Sequence, residues 1–490
     1  MEINDLAPAH PAPPLDPAAL TALKKEVTGV VLVPGDDGYD AERSGFQLAA
    51  RHRPAVVVGA AHADDVRAAV RFARAQGLPV AVQATGHGLS AATDGGLLIS
   101  TRRMNEVRVD AAARTAHVAA GVVWGQVVEA AAPHGLAPLN GSSPGVGVVS
   151  YTLGGGIGVL ARTYGFAADH VRSIDLVTAD ARQLHVTAER DPELFAALLG
   201  GGHGLGVVTA MEFGLVPVAR LYGGKLVFGA ERVDEALAAY LRWTETVPDE
   251  LTSSLALIAY PDLPQLPAEL RGRYLAQIRI AYTGSAEEGE RLVAPLRAVG
   301  PRVGDDLREM AYEESHTIHR DPSDPHAYDG DNALLGGLDA AALRRVAALT
   351  GPAAPAMCVV QLNHLGGALA APGAAGTVGH RTARYALRLL SPLPADDTGA
   401  ALAAVRALHA GALAAVEPWR LGRSVNFLFG GHGRRPDAAE VARSAHEADE
   451  HRRLAGLKAA HDPHNVFRFH PNAAAVPQGE PAAAASSRAV

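Results

Sequence analysis

The sequence predicts an α+β fold built in more than one part, on three observations. At 490 residues the chain is too long for one ordinary core, at roughly 100–200 residues per domain. A strand–helix–strand unit is legible between Pro54 and Gln83. After about residue 220, strand-like and helix-like runs follow each other without a strict βαβ rhythm, which predicts an α+β second part.

The elements follow in order. Ala55–Val58 is a short apolar run opened by Pro54. Asp64 is a plausible N-cap, and Val66, Ala69, Val70 and Ala73 then share one helix face. Gly77 ends that helix and Val80–Gln83 is the next strand. Short strands are expected at Leu97–Ser100, Val107–Asp110 and Ala116–Ala120, then a helix around Val123–Ala132. Ile174–Thr178 and Gln183–Thr187 read as a hairpin, and Asp191-Pro192 starts a helix with proline at its first position. From Val207 to Leu215 apolar residues alternate, as in a half-buried strand. In the second part, Lys225–Gly229, Leu255–Tyr260 and Gln277–Tyr282 are strand-like. Val233–Val247 and Ala286–Val299 are helix-like, the latter opened by Ser285 with Glu288 in capping-box spacing. The aperiodic stretches at residues 1–20 and 476–490 read as mobile ends.

Composition narrows the function classes. Apolar residues make up 48% and charged residues 20%, a globular balance. A net charge of −8 argues against nucleic acid as partner, since that affinity comes largely from neutralising phosphates. No apolar stretch of membrane-spanning length and no signal peptide are read, so a cytoplasmic protein is expected. One cysteine, Cys358, leaves no disulfide framework and no multi-cysteine zinc site.

Two glycine-rich loops stand out. One is Gln83-Ala84-Thr85-Gly86-His87-Gly88-Leu89-Ser90. The other runs from Asn140-Gly141-Ser142-Ser143-Pro144-Gly145-Val146-Gly147 to Tyr151-Thr152-Leu153-Gly154-Gly155-Gly156-Ile157-Gly158. Glycines let backbone approach a ligand closely and present N–H groups to phosphate. Taken singly, each loop could be only a turn. Both also fit a loose G-x-G-x-x-A pattern, but the first follows the second strand of its unit and opens no clear helix, unlike a Rossmann loop. His87, flanked by glycines, has an exposed imidazole suited to bonding a large cofactor.

Four segments then carry a family resemblance. They are PAVVVGAAHADDVRAAVRFARAQGLPVAVQATGHG, GSSPGVGVVSYTLGGGIG, DPELFAALLGGGHGLGVVTAMEFGLVPV and LAGLKAAHDPHNVFRFHPN, joined by weaker features at Gly366–Ala368 and His380-Arg381. In order and spacing they resemble the vanillyl-alcohol-oxidase / PCMH flavoproteins, especially the bacterial berberine-bridge-enzyme-like oxidoreductases. The resemblance implies a two-part PCMH-type FAD-binding domain at 40–219. It further implies an α+β substrate domain with an antiparallel sheet at 220–429, and a segment at 430–475 that returns to the FAD domain. Thr85, Gly86, Gly88, Leu89 and Ser90 would wrap the FAD pyrophosphate, and His87 would bond the flavin 8α-methyl. Ser143, Gly147, Thr152, Gly154, Gly155 and Gly156 would line flavin and phosphates. Gly206 and Val208 would meet the adenosine end, and Asn472 the flavin ring.

Departures from the family pattern are informative. Ser143 stands where doubly linked members carry cysteine, so only the His87 link is available. Ile157, Leu387, Leu389 and Ser424 match positions where relatives place polar groups, so an apolar substrate cavity is expected. Tyr151 and Tyr385 are the candidate catalytic residues. The expected reaction is FAD-dependent oxidation of an apolar small molecule, a specialised metabolite, at a C–H next to oxygen or nitrogen, with O2 as acceptor. The alternatives are a flavin dehydrogenase or oxidative cyclase that does not use O2, and a redox-inactive binding protein on the same fold. The oligomeric state is not legible. His446-Glu447 with His451 misses H-E-x-x-H spacing by one residue, and His316, His319 and Asp321 are the remaining metal candidates; no metal is expected.

Overall fold

The computed structural model describes residues 15–89, 92–201, 204–264, 266–371, 376–394, 399–428 and 438–469. Ser90 and Asn472, both expected at the cofactor, lie outside them. Three sheets organise the described residues.

The first sheet grows from the strand–helix–strand unit. Val56–Gly59 and Val80–Gln83 both pair in parallel with Leu97–Ser100 between them, and Val30–Leu32 adds an antiparallel edge. The helix Ala63–Ala75 lays Val66, Ala69, Val70 and Ala73 on the sheet, all fully buried. Each buried valine of such a core contributes about 1.5–3 kcal/mol. The expected cap differs: His62 is the N-cap, and Asp64 lies inside the first turn. Its neighbour Asp65 is fully buried because its carboxylate accepts hydrogen bonds from the N–H groups of Thr28, Gly29 and Ala61 at 2.8–3.0 Å. The helix Pro17–Glu26, capped by Asp16, also packs against this core through Leu23. This helix overlaps the stretch at 1–20 read as a mobile end.

The second sheet is antiparallel, in the order Val107–Asp110, Thr115–Ala119, Val207–Gly214, Val171–Val177 and Gln183–Thr187. Helices Trp124–Ala131, Val148–Leu153 and Pro192–Gly201 share its core.

The third sheet has nine antiparallel strands. Its centre runs Arg220–Gly229, Tyr274–Tyr282, Leu251–Ala259, Val359–His364, Tyr385–Pro392 and Tyr328–Leu335. Because side chains alternate, one face is apolar, with Leu226, Ile278, Leu255, Leu362, Leu387 and Leu389 under the helices Val233–Thr244, Ala286–Arg297, Ala340–Thr350 and Ala400–Ala414. The other face is polar.

The last helix, Ala448–His461, closes back on the first part. Leu454 packs beside Gly201, and Lys458 Nζ donates to the Gly204 carbonyl at 2.7 Å and to Asp462. Beyond it, the Val466 carbonyl accepts from the Val80 N–H at 2.8 Å, at the edge of the first sheet. No described helix is long and apolar enough to cross a membrane.

Candidate functional site

The two glycine loops face each other across an open cleft of about 740 Å³. The first loop leaves the strand Val80–Gln83 and is strapped to residues 45–47. The Phe46 N–H donates to the Thr85 carbonyl at 2.8 Å and the Gln47 N–H to that of Gly86 at 3.2 Å. Gly86 has φ +74°, and a Cβ there would lie 2.8 Å from Gly45 Cα. Both the left-handed conformation and the close approach require glycine.

His87 hangs from this strap. Its ring stacks on Phe46, centroids 3.8 Å apart, and its Nδ1 lies 2.9 Å from Thr85 Oγ1. The Tyr328 hydroxyl donates to the His87 carbonyl at 2.5 Å. Burial, with His326 nearby, lowers the His87 pKa to about 4, so its imidazole is neutral at neutral pH. A neutral ring has a nitrogen lone pair available for bonding.

The opposite wall is Ser142–Gly145. Residues 144–148 are pinned to the helix Trp124–Ala131, since the N–H groups of Trp124 and Gly125 donate to the Val146 and Pro144 carbonyls at 3.0 and 2.9 Å. Gly147 abuts Thr85, which brings the loops together at the cleft's edge. Of the expected residues, Thr85, His87 and Ser143 line the cleft directly, and Gly86 and Gly147 shape its walls. Gly88 is exposed and Leu89 half-buried, both continuing the His87 loop.

Other expected residues act at a remove. The glycine triplet turns the chain out of the helix Val148–Leu153, with φ +104° at Gly155 and +81° at Gly156. A Cβ on Gly154 would fall 1.8 Å from Asn426 Oδ1, because Asn426 docks there and donates to the Tyr151 carbonyl at 2.8 Å. Thr152 is buried, its hydroxyl donating to the Val148 carbonyl. Gly206 gives room to Leu176, and Val208 pairs with Leu176 inside the second sheet. The His380-Arg381 pair ties segments together: His380 meets the Ser444 carbonyl and Arg381 pairs with Asp169.

Neither candidate catalytic tyrosine lines the cleft. Tyr385 is on the helix-covered face of the third sheet, its hydroxyl bonded to Thr244 at 2.7 Å, and it does not reach the cleft. Tyr151 sits behind the second loop, edge-on to Trp124, with its hydroxyl donating to the Leu139 carbonyl at 3.3 Å. Burial raises its pKa well above the ordinary value, so it stays protonated.

The apolar cavity also needs correction. Leu387 and Leu389 lie in the helical core; Arg388, between them, projects from the other face. Ile157 and Ser424 line a separate interior pocket of about 20 Å³, room for little more than one water. The cleft itself carries Arg102, Arg320 and Asp321, and two further arginines are buried on the polar face of the third sheet. Arg388 stacks over Phe427 at 3.7 Å, and Arg279 reaches His319 Nδ1 at 3.3 Å and Gln277 at 3.2 Å. Asp321, on the cleft, accepts from Ser142. Crowding around Asp321 would by itself raise its pKa. His319, Arg279, the Ser142 bond and Arg388 outweigh that, lower it and keep the carboxylate ionised. Asp321 and His319 thus belong to an arginine cluster. Among the described residues no three His, Cys, Asp or Glu side chains are grouped to hold a metal ion. Phe46, Tyr328, Arg279 and Arg388 were missed in sequence; the alternation around Arg388 was the one signal present.

Comparisons with known proteins agree with this geometry. A family model described as an FAD binding domain matches residues 54–187. The (R)-6-hydroxynicotine oxidase of Paenarthrobacter nicotinovorans is 32% identical over 290 residues, 59% of this chain and 62% of that protein, so under two thirds of this relative's length is matched. The crystal structure of 6-hydroxy-D-nicotine oxidase from Arthrobacter nicotinovorans superposes with a TM-score of 0.79 at 25% identity, covering 91% of this chain and 97% of that one. Berberine bridge enzyme from Eschscholzia californica shares the fold, with a TM-score of 0.77 at 20% identity over 93% of this chain and 98% of that one. The cleft with His87 at its lip thus lies in a part of the chain that matches an FAD binding domain, and the chain is similar in sequence and fold to FAD-linked oxidases.

Proposed function

We propose that the protein is an FAD-dependent oxidase that removes hydride from a C–H bond next to nitrogen or oxygen in a small molecule. The observation that carries this is His87, held by Phe46 and Thr85 at the lip of a cleft walled by two glycine loops. The relatives named for oxidation of hydroxynicotine support the reaction class.

The residues present fit FAD. The cleft is large enough for a substantial ligand, and its walls keep glycine where a Cβ would close the strap between residues 45 and 86. Thr85, Gly86, Gly88, Leu89 and Ser90 would hold the pyrophosphate, with Ser143, Gly147 and the glycine triplet toward the flavin and Asn472 beside it. When bound, FAD supplies the hydride acceptor and passes the electrons to O2. His87 would be the single covalent anchor for FAD, its ring nitrogen giving up a proton to bond the flavin 8α-carbon, and the two-electron oxidation that this requires is chemistry FAD with O2 would supply. Ser143 has no thiol for a second link. Thr85 would orient the imidazole, and Phe46 would hold the ring plane.

The third sheet, within 220–429, would carry the substrate over the flavin, and the segment from Ala448 onward would brace the FAD part from behind. The lone cysteine, buried Cys358, suits a reducing compartment such as the cytoplasm. A place in specialised metabolism fits the relatives' small-molecule substrates. Purified protein is tested for bound FAD, then for peroxide release under air with panels of cyclic amines and alcohols. Flavin bleaching without peroxide would point to a dehydrogenase or cyclase. Folded protein with no flavin would overturn the proposal.

A further inference from the structure

The polar face of the third sheet carries a charge pattern outside the residues assigned to FAD. Strand register sets Lys225 beside Arg279, Arg279 beside Ser254, and Ser254 beside Asn363. The adjoining row pairs Arg388 with Gln361. Ser254, Gln277 and Arg279 are each at most 5% exposed. Yet Ser254 Oγ, Arg279 Nε, Asn363 Oδ1 and Arg388 Nε are buried with no hydrogen-bond partner. Buried polar atoms are ordinarily paired, so orphans collected on one strand face mark a place where a ligand group belongs. Three cations, Lys225, Arg279 and Arg388, share this face. Of the carboxylates nearby, Asp306 pairs with Arg320 and also acts on Lys225, while Asp321 acts on all three cations. Arg388 is also within electrostatic reach of Tyr151 and Tyr328, and Tyr328 bonds the His87 loop.

We propose that Arg279 and Arg388 bind a carboxylate of the substrate, so that the molecule oxidised at this site is an anion. The inference rests on reading the cleft as a substrate-oxidising site, and it deepens that reading. A guanidinium offers a planar fork of donors that matches a carboxylate, and Arg388 already lies over the Phe427 ring, 3.7 Å from its centroid. The orphaned Nε atoms would then gain an acceptor. Lys225 adds charge behind the pair, while Ser254 and Asn363 offer further polar contacts.

The test is calorimetric titration of the flavin-loaded protein with two matched pairs: indole-3-acetate against indole-3-acetamide, and benzoate against benzamide. At least one acid is expected to bind about tenfold tighter than its amide, as charge-assisted bonds imply. Raising the salt concentration should weaken the acid and leave the amide unchanged. Arg279→Gln and Arg388→Gln should each remove most of the preference without weakening the amide, and Arg388→Lys should keep part of it. Should these variants fail to fold, the acid–amide comparison and its salt dependence in the unaltered protein decide. Amides binding as well as acids, no binding by any acid, or a preference that survives in the double variant would overturn the proposal. Flavin content, read on the same sample, separates this outcome from failure of the redox reading, because binding heat is measurable with or without flavin.

Discussion

The imidazole of His87 lies nearly parallel to the Phe46 ring, 3.8 Å between centroids and 14° between planes. Phe46 is 41 positions away, on the strap whose N–H groups bond the Thr85 and Gly86 carbonyls. The stack fixes the ring plane and Thr85 Oγ1 fixes its rotation. If His87 bonds the cofactor as proposed, it gains from both restraints, because less orientational freedom is lost on bonding.

Phe46→Ala should therefore loosen His87 without unfolding the protein. The lost stacking is worth roughly 0.5–1.5 kcal/mol. The expected result is flavin that still binds but becomes covalently attached more slowly. It is read as the fraction of flavin that precipitates with the chain after timed reconstitution. Unchanged attachment kinetics would show that the stack is incidental.

Gly154 needs glycine for space, not for backbone conformation: its φ of −87° and ψ of 12° suit any residue. A Cβ would collide with the Asn426 side chain. Gly154→Ala should destabilise the protein by about 1–3 kcal/mol, the cost typical of overpacking. Adding Asn426→Ala should restore part of that loss, less the bond from Asn426 to the Tyr151 carbonyl. Chemical denaturation of the four proteins in the cycle measures this coupling. Strict additivity would mean the contact is relieved elsewhere.

Acid should destabilise the fold before the carboxylates titrate. Burial, followed by Arg162 and Arg384, lowers His364 from 6.5 to about 3. Burial, followed by His451, lowers His446 from 6.5 to about 4. Between those values and 6.5 the unfolded chain binds protons that the folded chain does not, so stability falls as pH drops through that window. The urea midpoint should fall steadily from pH 6.5 to pH 4. Replacing His364 with Gln should flatten the slope. A flat profile in the unaltered protein would mean these imidazoles are not buried as described.

Much of the first part was legible because its signals are local. The periodicity of Val66, Ala69, Val70 and Ala73 and the alternation from Val207 onward each decide a face within a few residues. The His87 loop stood out by its glycines. What sequence could not supply was register across long separations. Leu387 and Leu389 were matched to the cavity, but pairing with Val359–His364 and Tyr328–Leu335 turns them under the helices and turns Arg388 outward. A slip of one residue exchanges the two faces of a strand. Phe46 and Tyr328 reach His87 through contacts 41 and 241 positions apart, which no local pattern announces. Asp65 shows the same limit on a smaller scale: its neighbour Asp64 has cap chemistry, but the buried turn at Thr28 and Gly29 takes Asp65.

The most direct test of the central claim is a visible spectrum of the protein before and after acid precipitation. The unaltered protein should be yellow, with one FAD per chain, and its colour should follow the pellet. His87→Ala should bind FAD in the native state and release it to the supernatant on precipitation. Folded protein without flavin would contradict the assignment of the cleft. Flavin that stays in the His87→Ala pellet would contradict the assignment of His87.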